Sequence, residues 1–330
     1  MWYYKVDKDG IAISSRVRFA RNLKQYKFPH VMTNEEADKL INSMNNVLDS
    51  KVNLLKLKDI DEITLNSLVE RHLVSKEFIT KTDKRAVLLN EDCTLSVMIN
   101  EEDHLRIQGF SSGNDIKSAY DKAKSAEENI GKKLEYAVHD KFGYLTACPT
   151  NTGSGMRVSV MVHLPALTKL GYISKLLQDA GAFGIAIRGL YGENTVAEGN
   201  IYQISNQRTM GMTDDEIISN IDKIVKNIIK QEKKARTILM EDKVYFEDKV
   251  MRSLGILRYA RRIDTKEAEK HISIVRMGVA SGIIQDIDLD TVQKISVNIY
   301  PNMLKLECKK NMEEGQRDIE RAEYIRRELI

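Results

Sequence analysis

Cys148-Pro-Thr-Asn-Thr-Gly-Ser-Gly-Met156-Arg157-Val-Ser-Val-Met-Val-His-Leu164 is the stretch on which the reading of this chain turns. From Arg157 onward it alternates as a strand with one buried face does, and Pro165 stops it. Before Arg157, two glycines punctuate a loop that delivers a guanidinium to the strand's start. Runs of similar character lie on both sides: Ala86–Leu89, Leu95–Ile99, Tyr144–Cys148, Gly184–Arg188 and Gly199–Ser205 read as strands. Between them, apolar spacing predicts helices. Ala37, Leu40, Ile41, Met44, Val47 and Leu48 mark one over Asn34–Val52. Asp61–Ser75, Ser111–Ile130 and Ala166–Asp179 read as three more. Thr213-Asp-Asp-Glu216 is a capping box that opens a long helix with the stripe Ile217, Ile218, Ile221, Ile224, Val225 and Ile228. From about Ile238 helical signals dominate. This divides the chain near Arg236, with an α+β part over 1–235 and a helical part over 236–330.

Composition narrows the function. The 330 residues carry 51 Lys+Arg against 48 Asp+Glu, a net charge of +3, so no general affinity for nucleic acid is expected. Cys93, Cys148 and Cys308 are odd in number and widely spaced. They predict neither a disulfide framework nor a cysteine-based zinc site, and they suit a reducing cytoplasm. No apolar run is long enough to span a bilayer, so no membrane partner is expected.

The chain has no GxxxxGK[ST] loop, no HRD or DFG set and no HExxH. Nucleotide handling would need another device, and the arginines supply one. Arg16 and Arg18 sit at i, i+2 and share a face if extended. Arg106 closes the acidic run Asn100–Arg106, Arg157 opens a strand, and Arg188 ends one before Gly189. Planar, permanently charged forks at strand ends suit phosphate oxygens. Spacing alone favours reading them as five ordinary surface or salt-bridged arginines. Glu101, Glu102 and Asp103 crowd one strand end, and Glu193 follows a glycine turn. Two such carboxylates can clamp a guanidinium or take a proton, or can simply be solvated acids. Cys148 reads either as a buried apolar thiol or as a thiolate held near arginines.

Taken in order, Ser14-Ser-Arg-Val-Arg18, Asn100-Glu-Glu-Asp-His-Leu-Arg106, Cys148–Arg157, Arg188-Gly-Leu-Tyr-Gly-Glu193 and Ile204-Ser-Asn-Gln resemble the motifs of the phosphagen (guanidino) kinase family. The resemblance covers roughly residues 11–235. It implies a glutamine-synthetase-like catalytic fold, a large, mostly antiparallel sheet flanked by helices. It implies transfer of the γ-phosphoryl group of ATP to a guanidine, with Mg2+ held mainly by nucleotide and water and by no direct protein ligand. Glu102 and Glu193 would hold the guanidinium, Glu102 taking its proton, while Cys148 orients it. The nucleotide would lie against Ser14, Ser15, Arg16, Val17, Arg18, His72, Arg106 and the run Arg157, Val158, Ser159, Val160, Met161. Arg188, Gly189, Leu190, Tyr191, Gly192 and Glu193 would complete its site. The Glu193–Glu198 loop, between Gly192 and Gly199, would close over substrate.

Within that family the chain resembles the bacterial McsB-type branch. Arginine and creatine kinases carry a helical domain before the SSRxR motif, whereas here that motif starts at Ser14. The expectation is an open site suited to arginine on another protein. Tyr191 replaces the second arginine of the family's RGTRGE, as in that branch. Near the end, Arg317-Asp318-Ile-Glu-Arg321-Ala322 resembles its RDxxRA phosphoarginine-binding pocket, with Arg317 and Arg321 one helical turn apart. The branch implies protein substrates with exposed arginines, among them a heat-shock repressor. It also implies an activator protein, a Clp-type unfoldase or protease downstream, and a homodimer or higher oligomer formed by the helical part. A kinase for free arginine or another small guanidine, and a catalytically silent phosphoarginine reader, stay open beside it.

Overall fold

In the computed structural model, which describes residues 1–45, 47–48, 51–182, 184–189 and 198–329, the strand β1 (Ala12–Arg21) lies near the middle of the main sheet. The other strands are β2 (Val52–Lys56), β3 (Ala86–Asn90), β4 (Leu95–Ile99), β5 (Leu105–Ser112), β6 (Val138–His139), β7 (Gly143–Tyr144), β8 (Met156–His163), β9 (Ile185–Gly189) and β10 (Ile201–Asn206). Eight of them pair antiparallel in the order β2-β3-β4-β5-β1-β8-β10-β9, and β6 and β7 form a small separate ribbon. The helices are α1 (Asn34–Ser43), α2 (Glu62–Glu70), α3 (Ile116–Gly131), α4 (Pro165–Lys169), α5 (Ile173–Ala182), α6 (Asp214–Leu239), α7 (Lys243–Tyr259), α8 (Thr265–Ala280), α9 (Leu289–Asn298), α10 (Pro301–Cys308) and α11 (Glu314–Glu328).

Strand alternation separates packing from chemistry. Val17, Phe19, Ile107, Val158, Val160 and Ile204 turn to one side and are almost wholly buried. There they meet Ala119 and Ala123 of α3 and Ile217, Ile221, Val225 and Ile228 of α6. Burying each large side chain contributes about 1.5–3 kcal/mol. Gly109 lets α3 lie directly on β5, because a Cβ there would stand 2.1 Å from the Ala119 carbonyl oxygen. The opposite side is covered only in part. Leu57, Leu65, Leu68, Leu73 and Phe78 pack on Val87, Met98 and Phe110 at the β3–β5 end. From β1 to β9 that side carries Ser14, Arg16, Arg18, Arg157, Ser159, Gln203 and Arg188 together with Met161.

A second core lies in α7–α11, where Phe246, Val250, Leu254, Ile272, Val275, Ile295, Leu304 and Ile325 cluster. Aspartates at 242, 264 and 288 cap α7, α8 and α9. α6 belongs to both units. Its capping box at Thr213 and Glu216 forms as read, and the helix runs past residue 236 to Leu239, which packs against both cores. Inside it the fully buried Glu232 accepts from the amides of Ala166 (3.1 Å) and Leu167 (3.0 Å) at the start of α4. Arg236 Nε donates to the same carboxylate at 2.9 Å, and its Nη1 donates to the Asp9 carbonyl at 2.8 Å.

Several elements differ from the sequence expectation. The helix expected over Asn34–Val52 ends at Ser43; Met44 and Val47 reach the same core from the irregular chain that follows. The helix expected over Asp61–Ser75 stops at Glu70, because His72 takes a left-handed conformation (φ 59°). Ser111 and Ser112 still belong to β5, so α3 starts at Ile116. Gly171 (φ 76°) splits Ala166–Asp179 into two helices. Beyond Tyr144 the expected strand Tyr144–Cys148 makes no ladder; polar side chains hold it instead, as described next.

Candidate active site

Register puts the arginines together. Arg16 and Arg18 are alternate residues of β1, and Arg157 of β8 stands directly opposite Arg18. Gln108 of β5 stands opposite Arg18 on the other side, so Arg106, two residues before it, shares the face. Gln203 of β10 pairs with Met161 and with Arg188 of β9, which carries the face to the sheet's edge. Five arginines from four strands, β1, β5, β8 and β9, therefore project from the uncovered side. Arg16 donates to Gln203 Oε1 (3.0 Å) and, through Nε, to Ser159 Oγ (3.4 Å). Arg157 donates to Ser205 Oγ at 3.4 Å. The Nε atoms of Arg18 and Arg157 are buried with no hydrogen-bond partner.

Like charges this close repel. Burial and then the neighbouring Arg106 and Arg157 bring Arg16 down to about 10. Burial, followed by Arg16, Arg106 and Arg157, lowers Arg18 strongly. Burial, Arg188 and Arg106 lower Arg157. A polyanion relieves this repulsion and supplies acceptors for the unpartnered Nε–H groups, which is the fit expected of a nucleotide polyphosphate. Beside the arginines lies a cavity of about 240 Å³ lined by Ser14, Arg16, His72, Met161, Arg188 and Gln203 among others. His72 faces this cleft and is accessible from it, yet is surrounded by protein. Desolvation by the surrounding protein, and then the positive Arg16, lower its imidazole below the ordinary value.

Alternation also sorts the expected nucleotide residues. Ser14, Ser159, Met161 and Gly189 lie with the arginines or line the cleft. Ser15, Val17, Val158 and Val160 turn the other way and are fully buried, Ser15 donating to the Gly113 carbonyl at 2.8 Å. Their side chains build the sheet and do not line the cleft, because every second residue of a contiguous motif must face the helices.

The acidic turn between β4 and β5 borders the arginine face. Arg106 pairs with Glu101 at 2.7 Å and with Glu102 at 3.4 Å. Partial burial, helped by Asp103 and Glu101 against the opposing Arg106, raises the Glu102 carboxyl above its ordinary value. The Cys148 segment is tied to the same turn. Asp103 Oδ1 accepts from Asn22 Nδ2 and from the Ala147 amide, both at 2.6 Å. Asn22 Nδ2 also donates to the Leu145 carbonyl (3.1 Å) and its Oδ1 accepts from the His104 amide (2.8 Å). Cys148 is thus half-buried in an irregular segment beside the glutamates, its Sγ 3.0 Å from Thr150 Oγ1. The expected strand fails here because long-range side-chain bonds take the place of a ladder. Leu190, Tyr191, Gly192 and Glu193, and the loop up to residue 197, lie outside the described residues.

Asp103, Asn22 and Gln203 were not singled out by sequence reasoning for these roles. Gln203 carried a signal, an outward position on a strand whose neighbours face the core. The Asn22–Asp103 link, 81 residues apart, carried none.

In the helical unit, Arg321 is buried. Its Nε donates to the Ile299 carbonyl (2.8 Å), and its Nη1 donates to the Ile263 carbonyl (2.9 Å) and to Asp318 Oδ1 (2.7 Å). Arg321 thus turns its guanidinium inward and ties three segments. Asp318 also pairs at 3.3 Å with the exposed Arg262, a residue the sequence did not flag. Arg317 is half-buried on the same helix and Ala322 is buried beneath it.

A guanidinium-lined sheet face bordered by glutamates matches the comparisons with known proteins. Residues 30–235 match the model "ATP:guanido phosphotransferase, C-terminal catalytic domain". The chain belongs to the ATP:guanido phosphotransferase family, and is an enzyme of that class. Residues 243–330 match the model "Protein-arginine kinase McsB C-terminal domain", which sets the branch. The protein-arginine kinase of Clostridium tetani is 39% identical over 328 residues, covering 98% of this chain and 96% of that one. That of Caldanaerobacter subterraneus subsp. tengcongensis is 41% identical over 331 residues, covering 98% of each. Among solved structures, the duplicated taurocyamine kinase of Schistosoma mansoni aligns with a TM-score of 0.63 at 28% identity, over 70% of this chain and 35% of that one. A lombricine kinase at 24% identity, covering 70% of each chain, shares the fold with a TM-score of 0.61. The expected guanidino-kinase fold is therefore present. Among the described residues no helix is long and apolar enough to cross a membrane.

Proposed function

We propose that this enzyme phosphorylates arginine side chains of proteins at the expense of ATP. The observation that carries the reading is the set of five arginines on one uncovered sheet face with Glu102 at its border. Arg16, Arg18, Arg106, Arg157 and Arg188 hold the polyphosphate and stabilise the transferring group. Ser14, Ser159, Met161, His72 and Gly189 border the nucleotide, and Leu190–Gly192 belong to the same reading by motif. Glu102 and Glu193 hold the acceptor guanidinium in line, and Cys148 steadies it. A guanidinium is protonated and a poor nucleophile until a base intervenes. Glu102 takes the proton as the N–P bond forms and the bond from γ-phosphorus to the bridging oxygen breaks, releasing ADP. Among the described residues no group of three His, Cys, Asp or Glu gathers to hold a metal. Mg2+ arriving with the nucleotide would supply charge neutralisation there.

The relatives named protein-arginine kinase, matched along nearly their whole length, favour a protein acceptor. The neighbour named for taurocyamine makes a small free guanidine the competing acceptor. Labelled Mg-ATP offered to a loosely folded protein and to free arginine separates the two. Acid-labile label on protein alone supports the proposal, since a phosphoramidate breaks in acid where a phosphoserine ester survives. Label on free arginine alone overturns it.

The same reading divides the chain into a catalytic unit over 1–235 and a helical unit over 236–330. It gives Arg317, Asp318, Arg321 and Ala322 to a phosphoarginine pocket. Self-association falls to the helical unit, where α7 exposes Val244, Tyr245 and Tyr259. An activator protein, a heat-shock repressor as substrate and Clp-type proteolysis downstream complete it, in the cytoplasm, where three free thiols are at home.

A further inference from the structure

α10 has no N-terminal cap of its own: Tyr300 offers no side-chain acceptor, and Pro301 follows. The cap comes from the other unit, 232 residues away. Glu70, the last residue of α2, accepts from the Asn302 amide at 3.0 Å through each carboxylate oxygen. It also accepts from Asn302 Nδ2 and from the Met303 amide, both at 2.7 Å. A carboxylate on two unpaired amides at a helix start is a strong, directional contact.

Two residues beyond Glu70 the chain reaches His72, a non-glycine residue held left-handed at some cost. The end of α2 closes that turn itself: the His72 amide donates to the Val69 carbonyl (2.8 Å) and the Leu73 amide to the Leu68 carbonyl (2.9 Å), so His72 is carried by the end of α2. On the far flank, the Leu73 carbonyl accepts from Ser96 Oγ and from Gln108 Nε2, each at 2.8 Å. Gln108 is the residue opposite Arg18. On the near flank, Glu70 is held by α10. His72 is thus suspended over the arginine face between the sheet and the helical unit. Behind it, a cavity of about 70 Å³ is walled by Glu70, Arg71 and His72 on one side and by Glu269, Arg276 and Tyr300 on the other.

We propose that Glu70 is a positioning residue for the nucleotide: its clamp on α10 fixes the place of the α2 end that carries His72, so ATP affinity depends on how the helical unit is docked. The proposal rests on the nucleotide reading of the cleft. Glutamine at 70 keeps the shape but replaces one acceptor oxygen by a donor that faces an amide.

Trp2, the single tryptophan, reports on the site. It lines the cleft and stacks on Phe110 with ring centroids 4.9 Å apart. Its fluorescence, checked by calorimetry, is titrated with Mg-ADP in the full chain, with steady-state kinetics alongside. Glu70→Gln is expected to weaken Mg-ADP binding and raise KM for ATP about tenfold, with kcat at saturating ATP within about twofold. In a His72→Ala background the same substitution is expected to add nothing further, because its effect passes through His72. Unchanged affinity, a fall in kcat alone, or additive effects of the two substitutions overturn the proposal. Should Glu70→Gln fail to fold, Asn302→Ala, which removes only the side-chain bond, must weaken binding about two- to threefold; an unchanged affinity overturns it. A wild-type protein that binds no Mg-ADP overturns the nucleotide reading and this proposal together. A wild type that binds, beside an unaffected variant, overturns the proposal alone.

Discussion

Arg18 and Arg157 stand directly opposite each other across the β1–β8 ladder, each with a buried and unpartnered Nε. Directly opposed like charges destabilise a sheet by roughly 0.2–1 kcal/mol, so stability alone gives no reason for this pair. Binding does. Arg157→Gln is expected to weaken Mg-ATP binding at least tenfold, since a hydrogen bond to a charged group contributes about 1.5–3 kcal/mol. The melting temperature should hold or rise slightly. Calorimetric titration and a thermal melt check both halves; a lower melting temperature with intact affinity would make Arg157 structural.

Glu102 must be ionised to accept a proton, and its surroundings raise its pKa. Activity should therefore fall as pH drops through a value higher than that of an ordinary glutamate. Glu102→Gln should lower kcat by roughly 10²–10⁴-fold, remove that acid limb and leave nucleotide binding intact. A kcat/KM profile against pH for both proteins is the measurement. Transfer that survives in the variant rules Glu102 out as the base.

Arg21 and Glu127 form a buried pair at 2.9 Å, with Tyr144 donating to the same carboxylate at 3.0 Å. Burial pushes Glu127 up, but Arg21 and Lys124 outweigh it and hold the carboxyl below its usual value. A depressed folded-state pKa means stability present above the unfolded pKa and lost as pH falls through the folded one. Glu127→Gln should cost about 3–5 kcal/mol by leaving Arg21 uncompensated, and should flatten the acid side of the stability profile. Urea melts across pH 3–7 (roughly the carboxylate range and above) check it.

Arg321 ties Ile263, Ile299 and Asp318, whereas Arg317 makes no comparable tie. Arg321→Ala should lower the melting temperature by several degrees through unsatisfied buried carbonyls. Arg317→Ala should leave it nearly unchanged while weakening phosphoarginine binding. Phosphoryl transfer should persist in both correctly folded variants. Equal melting temperatures would contradict the inward role of Arg321, and loss of transfer in a folded variant would contradict the regulatory assignment.

What the sequence disclosed follows from the range of the forces involved. Period-2 alternation is local, so Arg157-Val-Ser-Val-Met-Val-His-Leu164 announced its strand and its outward arginine. The Thr213–Glu216 capping box is local too, and it formed as read. By contrast, Tyr144–Cys148 is held by Asp103 and Asn22, and no window around Cys148 contains them. The apolar spacing of Met44 and Val47 reflects contact with a core, which an irregular segment achieves as well as a helix does. Motif contiguity overstated the cleft, because it included Val17, Val158 and Val160, which alternation turns inward. The cap that Glu70 places on α10 joins residues more than two hundred positions apart and leaves no trace in either segment.

The helix shared by the two units has a practical consequence for dissecting the protein. Similarity to known families breaks between residues 235 and 243, and a fragment ending at 235 would look natural by that measure. Such a cut removes Arg236, the only salt-bridge partner of Glu232 among the described residues, and strands a fully buried carboxylate beneath the start of α4. It also frees the Asp9 carbonyl, which Arg236 holds. A fragment extended through Leu239 keeps the last turn of α6, both tethers and the neutrality of that interior. The seam in ancestry and the seam in physical integrity thus lie about one helical turn apart, and the second decides where the molecule can be divided.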